Sequence, residues 1–422
     1  MRVLAAIIVP PHLSVSGGAR AGEQLSSALA GRCSLDVASM MGGPEDGDPL
    51  VRRLPVRTWL PPVLPWGALS HRHATLFYRS SIPDLVRSGR YDLVHLHNPM
   101  PALEMARVAR ACRAAEVPYV VSTHGFNEIG RGHEIYGFGT AKRLAWRKLA
   151  YEPVAQVARG AAAVFALSPA DRPILDAMGA SGDDAHLVPN GVATPDPPDV
   201  KHDRALYARL GIPPERTDGR LTCLFLANHT PNKGLPVLFA AFRALDCPFR
   251  LIVGGERRPE IDYATPAAGL GPGQEIVVTG RLADREIPAL MRRSDVFVFP
   301  TLADTLPLVV LEAMAHGLPV VASDVGGIPY QLAEDAGVLV PAGDAAALAA
   351  AVGALADDPA RRARMAESAR NRVLREFTWE AAAERAMEGY ERTLAASRGR
   401  QPSRARRPPS LKGAVPAGGR RG

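Results

Sequence analysis

The feature that most constrains the fold is a repeated alternation of short apolar runs with longer alanine-rich segments. In the first half of the chain the apolar runs are Val3–Val9, Leu35–Met40, Leu93–His97, Tyr119–Thr123 and Val164–Leu167. The segments with helical periodicity include Ala19–Gly31, Ala102–Ala115, Ala141–Arg159 and Ala170–Met178. Nearly continuous apolar runs are typical of parallel strands that helices cover on both faces. Repetition of strand, helix and strand therefore predicts a parallel sheet with right-handed crossovers.

A second series of the same kind follows Asn190-Gly191 and a stretch rich in Pro and Asp. Its predicted strands are Leu221–Leu226, Arg250–Val253, Ile276–Thr279, Val296–Phe299 and Val320–Ala322. Its predicted helices are Lys233–Leu245, Asp284–Arg292, Leu308–His316 and Ala345–Ala356. The sequence therefore predicts an α/β protein with two Rossmann-like, doubly wound parallel-sheet lobes that face a cleft. Ligands of such lobes bind at the carboxyl ends of the strands.

The two series and the composition between them suggest the domain boundaries. The N-terminal lobe comprises residues 1–192, a linker comprises 193–201, and the C-terminal lobe comprises 202–377. We expect a helix at about 378–396 to pack back onto the N-terminal lobe. We expect 397–422 to be a disordered basic tail, because Arg, Pro, Ser and Gly dominate it and large apolar groups are few.

This tail also accounts for the net charge of +7. Eight of the 50 basic residues lie between positions 398 and 422, where there is no acidic residue, so 42 basic and 43 acidic residues remain elsewhere. The lobes are therefore close to neutral, and we expect no nucleic-acid partner. Two interpretations of the tail stay open: a solvated extension, and a segment attracted to an anionic membrane surface.

Cysteine spacing and the N-terminus bear on the compartment. The four cysteines are scattered without a C-x-x-C pair, which predicts neither a disulfide framework nor a metal site. The run Val3–Val9 leads into two prolines without a small-residue cleavage site, which favours a buried strand over a signal sequence. We therefore expect a cytoplasmic protein. A bias of 45 Arg to 5 Lys, with abundant Ala, is typical of a GC-rich bacterial genome.

The most informative segment is Phe299–Ser323, FPTLADTLPLVVLEAMAHGLPVVAS. A strand is followed by a loop with Asp304, then by a helix whose first turn suits Pro307 and whose end suits Gly317. Asp304 and Glu312 would lie about 12 Å apart on an ideal helix, too far to share a proton. With a helix start between them, they suit an extended ligand that has hydroxyls at both ends and an anionic middle, as a nucleotide-sugar has. Solvated or capping carboxylates would show the same spacing.

Asp304-x7-Glu312 and the AMAHGLPVVAS after Glu312 resemble the E-x7-E region of the retaining family 4 glycosyltransferases. Further motifs in the order of that family are Gly17-Gly18 after the first strand, YDLVHLH at Tyr91–His97, VVSTHG at Val120–Gly125, VPNGV at Val188–Val192 and P-x-K-G at Pro231–Gly234. The resemblance reaches to about residue 396. It implies the two-lobed GT-B fold and a metal-independent hexosyltransferase, with a nucleotide-diphosphate sugar as co-substrate and no other cofactor. A carbohydrate or lipid-linked acceptor, in polysaccharide or glycolipid assembly, is the expected partner.

The resemblance also implies roles for matching residues of the C-terminal lobe. Glu312 would bind the ribose hydroxyls of the nucleotide, and Asp304 would bind hydroxyls of the transferred sugar. The backbone N–H groups near Leu308 and Val309 would face the sugar and the phosphate. Lys233 would neutralise the diphosphate.

In the N-terminal lobe, the resemblance implies that Gly17-Gly18 let the backbone approach the reacting centre closely. His124, at the end of a strand, would reach across the cleft to the sugar. The implied catalytic residues are therefore His124, Lys233 and Asp304. For His95 and His97 a structural role is expected.

Three positions depart from the family pattern. Asp304 stands where Glu is usual and is one methylene shorter. Asn228, which we also expect to bind the donor, stands where an Arg is usual. It can donate a hydrogen bond but carries no charge. Pro307 stands where Gly is usual and has no N–H. Two alternatives to a transferase therefore stay open: a GT-B-like nucleotide-sugar epimerase, and a catalytically weak sugar-nucleotide-binding or assembly protein.

The segment Arg52–Arg90 contains seven arginines and a single acid, Asp84, interleaved with large apolar residues such as Trp59 and Trp66. Such a mixture suits peripheral contact with the inner face of the cell membrane. A solvated face beside the acceptor cleft would have the same composition, and both interpretations stay open.

Overall fold

The computed structural model describes residues 1–13, 17–42, 48–62, 74–135, 137–180, 185–215 and 218–400. For residues 399 and 400 it describes the backbone and not the side chains. Within these ranges the chain forms two α/β lobes, each built on one parallel sheet. Residues 397–400 are the end of the last helix, and the rest of the predicted basic tail lies outside the described residues.

The N-terminal lobe follows the order expected of a doubly wound sheet. Its strands are β1 Arg2–Ile7, β2 Ser34–Ser39, β3 Arg52–Arg53, β4 Thr58–Trp59, β5 Arg79–Ser80, β6 Leu93–His97, β7 Tyr119–Ser122, β8 Ala163–Ala166 and β9 Ala185–Leu187. Seven of them form a parallel sheet in the order β3-β2-β1-β6-β7-β8-β9, while β4 and β5 pair antiparallel beside it. Its helices are α1 Gly17–Ala30, α2 Ile82–Arg87, α3 Ala102–Ala114, α4 Phe126–Ile135, α5 Thr140–Trp146, α6 Glu152–Gly160 and α7 Arg172–Met178.

The C-terminal lobe repeats this plan. Its strands are β10 Leu221–Leu226, β11 Phe249–Gly254, β12 Gln274–Gly280, β13 Val296–Phe299, β14 Val320–Ser323 and β15 Gly337–Val340, in the sheet order β12-β11-β10-β13-β14-β15. Its helices are α8 Val200–Arg209, α9 Leu235–Arg243, α10 Ala264–Ala267, α11 Ile287–Arg293, α12 Leu308–Ala315, α13 Ile328–Gln331, α14 Ala345–Ala356 and α15 Pro359–Glu376. The last helix is α16 Trp379–Arg400.

The predicted two-lobed, doubly wound fold is confirmed, and the predicted strands and helices are present with small shifts at their ends. The segment predicted as one helix from Ala141 to Arg159 is interrupted by a π-helical turn, Arg147–Tyr151. The elements that were not predicted are β3, β4, β5, β9, β15, α2, α4, α8, α10, α13 and α15. The helical pattern of α15 is difficult to detect in the sequence, because the helix contains many arginines and its apolar stripe is narrow. Its buried apolar residues are Met365, Ala369 and Val373.

The lobes are joined by two adjacent crossings of the chain. The Val192 N–H donates to the Phe377 carbonyl at 2.8 Å, and Val192 forms a bridge with Thr378. A Cβ on Gly191 would lie 2.4 Å from the Trp379 backbone nitrogen, so only glycine allows this approach. After the second crossing, α16 packs Trp379 and Tyr390 into the core of the N-terminal lobe. The division at 193–201 stays a prediction.

Candidate functional site

The candidate residues lie where each sheet reverses the direction in which its strands are connected. In the C-terminal lobe β10 and β13 are neighbours, and the loops after them carry Lys233 and Asp304. In the N-terminal lobe β1 and β6 are neighbours, and they are followed by Gly17-Gly18 and Asn98. Connections that leave a sheet in opposite directions open a crevice at the carboxyl ends of its strands, where ligands bind. Strand order thus explains how residues far apart in sequence come together.

Lys233 and Asp304 are in direct contact. The Lys233 Nζ donates to Asp304 Oδ2 at 2.5 Å and lies 5.6 Å from the ring centroid of Phe299. Lys233 ends a 3₁₀ turn and is not part of the predicted helix, because Gly234 is left-handed, with φ of 70°. A Cβ on Gly234 would lie 1.8 Å from the Pro300 carbonyl oxygen. Glycine is therefore required for the two loops to touch.

Backbone contacts fix the positions of these two loops. The Asn232 carbonyl accepts from the Leu302 N–H at 2.7 Å and from the Thr301 hydroxyl at 2.9 Å. In return the Asn232 amide donates to the Ala303 carbonyl at 3.2 Å. The lysine and the aspartate are thus presented by a preformed frame, which limits the entropy lost when they bind a ligand.

Helix α12 begins directly after this frame. Pro307 is its N-cap, so the N–H groups of Leu308 and Val309 head the helix and have no acceptor within it. One turn further, Glu312 lies 3.4 Å from the Arg20 guanidinium of the opposite lobe. Burial raises the pKa of Glu312, while Arg20 opposes this rise.

Two buried asparagines hold the N-terminal lobe against the loop before α12. The Asn127 amide donates to the Asp304 carbonyl at 2.9 Å, and the Asn190 amide donates to the Leu306 carbonyl at 2.9 Å. Asn127 lies three residues after His124, in the first turn of α4. The carboxyl ends of the N-terminal strands and the loop with Asp304 therefore form one continuous surface.

His124 is 95% buried and belongs to a histidine cluster that also contains His95 and His97. Burial lowers the pKa of His124 to about 4, so its ring is neutral near pH 7. His95 bonds to the Tyr390 hydroxyl and to the Ser122 hydroxyl, each at 2.7 Å, and burial lowers its pKa to about 3. His95 is thus a core residue, as expected from the sequence, and it ties α16 to β6.

The two predicted glycines differ in their surroundings. They form the first turn of α1, two residues before the predicted start of that helix. A Cβ on Gly18 would lie 2.2 Å from Asn98 Oδ1, whereas one on Gly17 would have no neighbour within 4 Å among the described residues. Asn228 is exposed, and its carbonyl accepts hydrogen bonds from the N–H and the hydroxyl of Thr230.

Sequence reasoning missed three residues of this surface: Arg20, Asn127 and Asn190. Each was visible as a polar residue beside a motif, since Arg20 follows the glycine pair, Asn127 follows VVSTHG, and Asn190 is part of VPNGV. Within the described ranges, no three His, Cys, Asp or Glu side chains come together as ligands for a metal ion. No helix among the described residues has the length and apolarity to span a membrane.

Two family models match the chain. The model described as Glycosyltransferase Family 4 matches residues 15–195, and the one described as Glycosyl transferases group 1 matches residues 220–358. Each model covers one lobe, with the two crossings of the chain outside or at the edge of the matches.

Curated relatives agree with these models. The chain is 34% identical over 317 residues to the phosphatidyl-myo-inositol mannosyltransferase of Mycobacterium leprae, covering 73% of this chain and 75% of the relative. It is 32% identical to the D-inositol 3-phosphate glycosyltransferase of Xylanimonas cellulosilytica, over 72% of each chain. It is 28% identical to the alpha-maltose-1-phosphate synthase of Mycolicibacterium smegmatis, over 92% of this chain and 97% of that one.

Solved structures share the fold. Sucrose-phosphate synthase from Thermosynechococcus elongatus superposes with a TM-score of 0.69 at 21% identity, over 94% of this chain and 100% of that chain. Anabaena HepE in complex with UDP-glucose superposes with a TM-score of 0.68 at 18% identity, over 93% and 100%. Taken with the family models and the curated relatives, this likeness establishes that the chain belongs to glycosyltransferase family 4 and is a glycosyltransferase with the GT-B fold.

Proposed function

We propose that the protein transfers a hexose-type sugar from a nucleotide-diphosphate sugar to an acceptor hydroxyl and retains the anomeric configuration. The observation that carries this proposal is the contact of Lys233 with Asp304, followed at once by a helix that bears Glu312. A cation, a helix start and two carboxylates then line one side of the crevice. This set of groups complements the diphosphate, sugar and ribose of such a donor.

Each group on the C-terminal lobe has a role that its surroundings support. Lys233 and the N–H groups of Leu308 and Val309 stabilise the diphosphate and the adjacent sugar oxygens. Asp304 accepts hydrogen bonds from hydroxyls of the transferred sugar, and Glu312 accepts them from the ribose. In this structure, which contains no donor, the Lys233 ammonium and the Asp304 carboxylate are paired at 2.5 Å and partly buried.

The N-terminal lobe contributes space and further polar groups. The glycine pair Gly17-Gly18 leaves room for the backbone beside the donor. Arg20 brings to the nucleotide end of the site a positive charge that Asn228, at the family's usual Arg position, does not supply. His124 is neutral, so it acts on the sugar by hydrogen bonding and not by charge.

The chemical step exchanges one bond at the anomeric carbon for another. The bond from that carbon to the phosphate oxygen breaks, and the bond to the acceptor oxygen forms on the same face. The proton of the acceptor hydroxyl passes to the departing phosphate. Because Lys233 and the helix start offset the charge of the leaving group, we propose that the reaction needs no metal ion. The contacts of Asn127 and Asn190 bring the lobes together, which excludes water from the sugar.

The acceptor belongs to a class that the names of the relatives suggest. Those names contain phosphatidyl-myo-inositol, D-inositol 3-phosphate and maltose 1-phosphate, each a cyclitol or sugar with a phosphate. We propose an acceptor hydroxyl on a sugar or cyclitol, free or lipid-linked, in polysaccharide or glycolipid assembly. Membership of a transferase family favours this activity over the epimerase and the binding protein.

The test begins with a thermal-shift screen against UDP-, GDP-, ADP- and TDP-sugars, since a bound donor raises the melting temperature by mass action. With the donor identified, Lys233→Ala and Glu312→Ala should each lower the transfer rate by about 100-fold or more. Lys201→Ala is the matched control, because Lys201 is exposed on α8. Near-normal transfer in both site variants would remove these assignments, and nucleoside diphosphate release that ignores the acceptor would argue against transfer.

We also propose that the protein works at the inner face of the cell membrane as a peripheral protein. Trp59, in the arginine-rich segment, is 40% exposed, while Trp66 lies outside the described residues. Arg53 is not available for lipid, since it pairs with Glu23 at 2.6 Å. The protein should co-sediment with vesicles in proportion to their anionic lipid content. Sedimentation that does not depend on anionic lipid would dispose of the proposal.

A further inference from the structure

A second cleft, of about 640 Å³, opens beside the candidate site at the edge of the lobe interface. It lies between the end of α4, the start of α5 and Pro231 of the C-terminal lobe. Pro231 is two residues before Lys233, and α4 begins two residues after His124. The cleft therefore borders both halves of the site, and its volume suits a small ligand. None of the residues given a role above lines it.

The wall of this cleft is preformed. Gly137 is left-handed, with φ of 60°, and the Phe138 N–H donates to the His133 carbonyl at 3.0 Å, which closes the end of α4. The Phe138 ring packs edge-on against Trp146 at 5.6 Å between centroids. The Trp146 indole in turn donates to the Ile129 carbonyl at 3.0 Å. The aromatic wall is thus held by contacts within the protein and needs no ligand to form.

Within the part of the chain that the structure describes, the mouth of the cleft carries positive charge that no carboxylate pairs with. Four cations follow one another on the exposed helical segment: Lys142, Arg143, Arg147 and Lys148. Glu152 pairs with Arg147 at 3.1 Å and with Lys148 at 3.0 Å. Among the described residues, no carboxylate lies within ion-pair distance of Lys142 or Arg143. Lys142 lines the cleft, so part of this unpaired charge borders the space that a ligand would occupy.

The rest of the lining combines a hydroxyl with apolar surface. Thr140 supplies the hydroxyl, while Ile135, Phe138 and Pro231 supply the apolar faces. An apolar face beside a few polar groups suits a sugar or cyclitol ring, whose C–H faces pack on apolar side chains while its hydroxyls bond at the edges. The additional cation calls for an anionic substituent on that ring.

We propose that this cleft binds the acceptor of the transfer reaction, and that the acceptor carries a phosphate group that Lys142 contacts and Arg143 attracts. The inference rests on the proposed function, because it assigns the second substrate of that reaction. A phosphomonoester on a free sugar and the phosphodiester of an anionic lipid headgroup both present negatively charged phosphate oxygens to Lys142. The cleft therefore selects for the phosphate. The probe that binds shows whether this phosphate belongs to a free sugar or to a lipid headgroup.

The experiment measures binding of the full chain to matched probes by calorimetry and by co-sedimentation. The free probes are glucose 1-phosphate and glucose; the membrane probes are phosphatidylcholine vesicles with and without phosphatidylinositol. For at least one pair, we expect about tenfold tighter binding of the member whose phosphate charge is not balanced by a cation, which is glucose 1-phosphate or the vesicles with phosphatidylinositol. Lys142→Ala should largely abolish this preference. Adding Arg143→Ala should weaken binding further at low salt. Lys148→Ala, whose lysine is already paired with Glu152, should keep the preference.

A preference for glucose 1-phosphate that depends on Lys142 assigns a free acceptor, and such a preference for phosphatidylinositol assigns a lipid-linked one. Equal binding of the two members in both pairs would overturn the proposal. So would a preference that survives the Lys142→Ala and Arg143→Ala double variant. Binding of the nucleotide-sugar by the same preparation distinguishes failure of the acceptor assignment from failure of the proposed function. If this binding persists while the phosphate preference is absent, only the acceptor assignment is wrong.

Discussion

Two asparagine amides form hydrogen bonds between the lobes and hold them in contact, an arrangement that we call closed. Removing these amides tests whether the enzyme is active in the closed arrangement. The perturbation is the double variant Asn127→Ala and Asn190→Ala. In the wild type these amides donate to the carbonyls of Asp304 and Leu306, each at 2.9 Å. Both asparagines are at least 95% buried, so water does not readily replace them in the closed state.

The magnitude follows from the net value of a hydrogen bond. Each lost bond should reduce the stability of the closed arrangement by about 1 kcal/mol, and the pair by about 2 kcal/mol. Since about 1.4 kcal/mol corresponds to a factor of ten, kcat/KM for the donor should fall roughly 30-fold in the double variant. Each single variant should lose about fivefold. Because both amides hold the same loop, the two effects need not be additive, and the double-mutant cycle reports their coupling.

The assay is release of nucleoside diphosphate at low concentrations of the donor identified by thermal shift, with acceptor present. Asn371→Ala is the matched control, because Asn371 is an exposed asparagine on α15, far from the cleft in sequence. Melting curves should show both variants folded. If the double variant stays within about twofold of the wild type, these lobe contacts do not hold the productive arrangement, and the reasoning from them fails.

Two further predictions use the charges of the site and the core. Arg20→Ala removes the cation that opposes the burial-raised pKa of Glu312, so this pKa should rise further. Donor affinity, which needs the carboxylate, should then fall off at a higher pH than in the wild type, while Arg20→Lys should shift the profile less. The second prediction concerns the histidine cluster, whose members have pKa values lowered by burial. Unfolding exposes them to protonation near pH 6.5, so the free energy of unfolding should fall as the pH drops from about 6.5 towards 4, by up to about 1.4 kcal/mol per pH unit for each histidine. Denaturant titrations measure this slope, and a flat profile over that range would contradict the buried, neutral state of the cluster.

Local pattern was enough to predict the two lobes and the loops that carry the site. The strand that ends at Phe299, the loop with Asp304 and the helix with Glu312 follow from apolar runs and a helix of ordinary period. The resemblance to the family then assigned roles to Lys233 and His124, in agreement with the rule that ligands bind at the carboxyl ends of parallel strands. These inferences need no knowledge of which strands are neighbours.

What sequence reasoning could not supply depends on strand order and on contacts between lobes. The Lys233–Asp304 contact exists because β10 lies beside β13, although the two residues are 71 positions apart. The approach of Arg20 to Glu312 requires the two lobes to be placed against each other, which no local period encodes. The left-handed Gly234 likewise delays the start of the helix predicted from Lys233, so that the helix begins at Leu235; this conformation depends on the close approach of Pro300.

The packing of α16 on the N-terminal lobe has a consequence for the order in which the parts of the chain fold. Residues 379–390 complete the apolar core that β1 and α1 begin, with Gly389 close enough that a Cβ would lie 2.6 Å from the Phe165 ring. A ribosome releases β1 and α1 first, yet their covering helix emerges only after the whole C-terminal lobe has been translated. The N-terminal lobe, which is synthesised first, therefore keeps apolar surface exposed until α16 has been translated, and it completes its folding last.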